Sequence, residues 1–115
     1  MSRPKVNKAM MINAAIPMTI EQVKDLADRI QHDPNLWNQF VGLELDTEKR
    51  LADAAAQGRW IDDPDVVLDP PKLPSMDMLV FDFLNLCYGP DHGLDRAMLI
   101  MEMRRRVRVR LGLAV

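Results

Sequence analysis

Residues 75–88, SMDMLVFDFLNLCY, decide the fold class. Met76, Leu79, Val80, Phe83, Leu84 and Cys87 fall at i, +3, +4, +7, +8 and +11, which places them along one face of an α-helix. Ser75 stands where a hydroxyl accepts from the free N–H groups of a first turn, and Gly89-Pro90 ends the run. Met78, Phe81 and Leu86 widen the stripe. The spacing predicts a central helix with Leu79, Val80, Phe83 and Leu84 buried. Cys87 is expected in the core, where a thiol is a small inert hydrophobe.

Downstream, Asp91 or His92 is expected to open a helix from about Leu94 to Arg106, apolar nearly all round at Ala97–Met101. Met76, Met98 and Met101 are read as core positions. Val107–Leu111 then alternates Val, Arg, Val, Arg, Leu, a period-two pattern that fits either a helix extension or a short strand.

Upstream, Asp62, Asp63, Asp65 and Asp69 interleave with Pro64, Pro70, Pro71 and Pro74, so residues 61–74 read as an acidic proline-rich loop. Before it, Thr19 and Gln22 form a capping-box pair ahead of Ile20, Val23, Leu26, Ala27 and Ile30, a helix stripe that should stop at Asp33-Pro34. Asp33 and Pro34 suit the first positions of a short second helix carrying Leu36, Trp37 and Phe40 and ending near Gly42. Asp46 would cap a third helix over residues 47–57. The expected fold is therefore all-α: an irregular orthogonal bundle of about five helices, with residues 1–17 as an N-terminal arm and 18–115 as a single helical domain.

Composition narrows the function classes. The chain has 115 residues, 48% hydrophobic and 28% charged, as expected of one globular domain. The basic, mildly apolar opening has the charge pattern of a targeting segment, but Asn13 and Pro17 interrupt it and no small-x-small site follows. With a lone cysteine and no apolar run of membrane length, a soluble cytoplasmic protein is expected. Charge is uneven: residues 1–20 carry +3, residues 21–93 carry −9 and residues 94–115 carry +4. Such a chain favours self-association or electrostatic steering of a partner.

No catalytic, cofactor or metal site is expected. Two histidines, His32 and His92, and Cys87 are too few for a recognisable constellation, and no paired-cysteine, HExxH or calcium-loop spacing occurs. No glycine-rich turn is available to cradle a phosphate.

Two signals remain. Arg104, Arg105, Arg106, Arg108 and Arg110 form a basic cluster suited to phosphates or to acidic protein surfaces. Nine methionines outnumber the six aromatics, and methionine is over-used at adaptable contact surfaces. Met10, Met11, Trp37 and Trp60, with the five arginines, are the candidate partner-binding residues. The expected function is a small non-enzymatic protein-binding module, such as a regulator, inhibitor, adaptor or assembly subunit, that self-associates. A nucleic-acid-binding regulator is the second reading and a small enzyme the third. On the first reading, replacing Arg104, Arg106 and Arg108 with Glu should weaken association without unfolding the domain.

Overall fold

The structure, a computed structural model, describes residues 15–68 and 74–115. Among these, the regular structure is four helices: α1 (Ile20–Gln31), α2 (Pro34–Ala56), α3 (Met76–Tyr88) and α4 (Ala97–Leu111). Met10 and Met11 lie outside the described residues, as does most of the expected N-terminal arm.

The local signals act where expected at α1. Thr19 accepts from the Gln22 backbone N–H at 3.0 Å, and the Gln22 side chain answers the Thr19 N–H. Val23, Leu26, Ala27 and Ile30 are buried beneath it. Asp33 then caps α2 through the Leu36 N–H, with Pro34 in the first turn.

Helix α2 overturns the expected break at Gly42. A single 23-residue helix runs through it, so one helix stands where two were expected and the described residues hold four. An interior glycine costs about 1 kcal/mol relative to alanine, and the complete burial of Phe40, two residues before Gly42, offsets that. Nor does Asp46 cap a new helix. Its carboxylate holds Arg50 one turn on at 2.8 Å, and the Thr47 hydroxyl donates back to the Leu43 carbonyl at 3.0 Å. Both side chains thus satisfy themselves within a continuous helix.

A second correction concerns the centre. Helix α4, not α3, is the hub: it packs on α1, α2 and α3, and Leu99, Met103 and Val107 are fully buried there. Leu79, Val80 and Leu84 of α3 are buried as their spacing predicts, while Phe83 is half-buried at the core's edge. Cys87 is exposed, not in the core. It lies on the stripe by angle, but in the last turn, where Leu86 and Tyr88 are exposed too. The apolar stripe of α3 runs past the part that its neighbours cover.

The ambiguous segment 107–111 is helical, and α4 ends in a left-handed cap at Gly112 (φ 72°). Its start is later than expected, at Ala97, whose N–H is taken by the Asp95 carboxylate at 2.9 Å. Just before α1, Ile16 forms a two-bond parallel bridge to the α3–α4 loop, donating to the Gly93 carbonyl and accepting from the Asp95 N–H, both at 2.8 Å.

Candidate functional site

Four of the five clustered arginines face carboxylates of their own chain. Glu44, on α2, is the buried charged residue of the core, and it lies one helical turn before Glu48. Arg104 and Arg108, one turn apart on α4, meet that pair: Arg104 Nε donates to Glu44 Oε1 at 2.6 Å, and Arg108 Nη1 donates to Glu44 Oε2 at 3.1 Å and to Glu48. Matching i,i+4 pairs on two packed helices thus form one ladder, with both oxygens of the buried carboxylate answered. Continuity of α2 through Gly42 keeps Phe40, Glu44 and Glu48 in register on the α4-facing side.

The same device recurs along α4. Arg106 donates to Glu102 at 2.7 Å and reaches α1 at Asp28 (2.6 Å) and Gln31 (3.1 Å). Arg96 holds Asp77 of α3 through two bonds, at 2.9 and 3.1 Å, and lies over the Phe81 ring at 4.8 Å. Arg108 Nε also donates to the Ala114 carbonyl, which ties down the C-terminal residues. Counting Arg96 just before its first residue, α4 therefore reaches each of the other three described helices with an arginine. Arg110, two residues past Arg108 and about 200° around the helix from it, makes no hydrogen bond or ion pair with the described residues.

Glu102 receives Arg105 through two bonds, at 3.0 and 2.8 Å, as well as Arg106. The Arg105 hydrogen bonds hold the Glu102 carboxyl down at about 2; partial burial opposes this and the bond from Arg106 reinforces it. The same contacts raise the Arg105 guanidinium. Both partners of this pair stay charged throughout the physiological range.

Beside these pairs lies an open groove of about 570 Å³ between the start of α1 and α4. Ile20 and Val23 line it from α1, Met98, Met101, Glu102, Arg104, Arg105 and Arg108 from α4, and Val115 from the residues after α4. Met101 is 69% exposed and Ile20 61% exposed. This corrects the reading of Met98 and Met101 as core: helix α4 buries Leu99, Met103 and Val107 and leaves the two methionines toward solvent. The spacing Met98, Met101, Arg105 (i, +3, +7) carries the groove's signal, hidden in a run that looks apolar on every side.

The other expected partner-binding residues are scattered. Trp37 packs half-buried against the core. Trp60 is 82% exposed on the loop after α2, beside Leu51, Ala55 and Ile61 and away from the methionine groove. Arg106 turns inward to α1, so Trp37, Trp60 and Arg106 stand apart from the groove's arginines.

Among the described residues, no three His, Cys, Asp or Glu side chains converge as a metal site would require. The His92 ring packs against Phe81 at 6.1 Å and its Nδ1 accepts from the Leu94 N–H at 2.9 Å. No described helix is long and apolar enough to cross a membrane. Comparisons with family models, with characterised proteins and with solved structures match nothing to this chain.

Proposed function

We propose that this chain is a non-enzymatic protein-binding module that docks an apolar, acid-flanked segment of a protein partner in the groove between α1 and α4. The observation that carries this reading is the exposure of Met98, Met101 and Ile20 side by side under an arginine rim. Flexible, polarisable side chains exposed together in a groove are what an adaptable contact surface uses. The partly exposed Arg104 and Arg105 beside them can steer an acidic partner while keeping their own carboxylates.

The nucleic-acid reading draws on the same arginines, but Arg104, Arg105, Arg106 and Arg108 already face Glu44, Glu48, Glu102 and Asp28. A phosphate backbone would have to displace those carboxylates or approach them. An exposed, unpaired thiol at Cys87 suits a reducing compartment, which supports a cytoplasmic setting.

The experiment is crosslinked affinity capture from the native cell with wild-type and Met101→Glu baits, each with and without nuclease, read by mass spectrometry. Proteins that survive nuclease and disappear with Met101→Glu are expected. Recovery that depends on nucleic acid and ignores Met101 would overturn the proposal.

A further inference from the structure

The segment that follows α2, residues 57–68, is braced, although it contains no helix or strand. The Gln57 side chain clamps Val67 from both sides, donating to its carbonyl at 2.8 Å and accepting from its N–H at 3.0 Å. Arg59 reaches Asp63 at 3.4 Å and Asp65 at 3.2 Å, and the Asp63 carboxylate accepts from the Asp65 N–H at 2.9 Å. Upon this braced turn of eleven residues, Gln57 to Val67, stands Trp60, 82% exposed. A large side chain carried on an ordered backbone costs less entropy to dock than one on a mobile loop, which suits an interface anchor.

The chemistry of the loop complements the groove. Trp60 and Ile61 supply apolar area; Asp62 is exposed and makes no hydrogen bond or ion pair with the described residues. Asp62, Asp63 and Asp65 outnumber Arg59, so the loop is negative. In the groove's lining Met98 and Met101 offer thioethers, and the side chains of Arg104 and Arg105, 47% and 52% exposed, outweigh the acidic Glu102 beside them. Thioether–aromatic and arginine–carboxylate contacts are both favourable pairings. The groove's volume is within the range of sites that enclose side chains and small ligands.

We propose that the groove of one protomer receives the Trp60 loop of a second copy of this chain, and that the exchange is reciprocal. This rests on the reading of the groove as a protein-docking site and names its occupant. Reciprocity follows from area. One inserted loop buries on the order of a few hundred Å², which supports only weak association; two insertions about a two-fold axis double it toward the roughly 1,000 Å² of a specific interface and close the assembly.

Sedimentation equilibrium of the full chain over a concentration series tests the proposal. The wild type forms dimers. Trp60→Ser and Met101→Glu each weaken dimerisation roughly tenfold or more, as an anchor or its pocket should. At concentrations too low for dimers, thermal melts of both variants match the wild type, because each altered side chain is largely in solvent. Mixing the two variants restores association above that of either alone, since one intact groove then meets one intact loop. Dimers that persist in Met101→Glu, or a mixture no better than its parts, overturn the exchange.

A monomeric wild type also overturns it, and the fluorescence of the anionic apolar probe anilinonaphthalene sulfonate then judges the groove separately. Enhancement by wild type but not by Met101→Glu keeps the groove as a docking site for another partner. No enhancement removes that reading as well.

Discussion

The two faces of α4 share one vocabulary of methionine, leucine, valine and arginine, yet they serve different ends. Inward, Leu99, Met103 and Val107 are completely buried, and Arg106 stretches to Asp28 of α1. Outward, Met98, Met101 and Val109 are exposed, and Arg105 bonds only to Glu102 of its own helix. Met101 and Met103 are two residues apart, which turns them about 200° from each other. Residue type therefore does not decide which methionine is core; the helix opposite it does. The inward face should answer to stability measurements and the outward face to binding measurements.

The sharpest break of the inward face is the double substitution Arg104→Met, Arg108→Met. It leaves the Glu44 carboxylate buried without a partner, and the expected loss is about 3–5 kcal/mol in urea unfolding. Glu44→Met is the informative control. Its arginines can turn to water or, for Arg108, keep Glu48, so the variant should come within about 1 kcal/mol of wild type or exceed it. Equal losses in the two variants would mean that the ladder is not organised around a buried carboxylate.

Leu99→Ala is expected next, at about 2–4 kcal/mol, from lost burial and the cavity left at the hub. Met98→Ala, one residue earlier on the outward face, should change stability by no more than about 0.5 kcal/mol. Parallel denaturant melts check the contrast.

The smallest effect concerns pH. Glu102 titrates near 4.5 when unperturbed and near 2 in the fold, so its contribution is present above about 4.5 and disappears as pH falls toward 2. Glu102→Gln should be less stable than wild type at pH 6, with the gap closing between pH 4.5 and 2. A constant gap across that range would show that Glu102 acts through packing alone. Cys87 gives a further check on the edge of the core: in native protein it should react with a thiol reagent at close to the rate of a free thiol.

Much of the fold was legible where the chain carries local chemistry. The Thr19–Gln22 box, the Asp33-Pro34 start of α2, the Ser75 cap and the stripe at Leu79, Val80 and Leu84 all act as their spacing implies. What failed depends on long-range partners. Gly42 looks like a helix end until Phe40 and Glu44 are seen held against α4. Cys87 looks buried because periodicity marks a face and not how far a neighbour extends along it.

The arginine cluster was visible as a charge run, but its meaning lay in matching one-turn spacings sixty residues away, Glu44 and Glu48 against Arg104 and Arg108. Met98 and Met101 were hidden by a stretch apolar on all sides, in which no stripe can be told from its opposite.

The central claim is that the clustered arginines serve the fold while the methionine face beside them serves binding. The most direct measurement is the far-ultraviolet circular dichroism melt of the triple variant Arg104→Glu, Arg106→Glu, Arg108→Glu. Charge alone suggested a folded variant with weakened association. The structure instead sets three new carboxylates against Glu44, Glu48, Glu102 and Asp28. The account predicts a chain with no cooperative transition at neutral pH. A cooperative melt at the wild-type midpoint would contradict it and return the arginines to an outside partner.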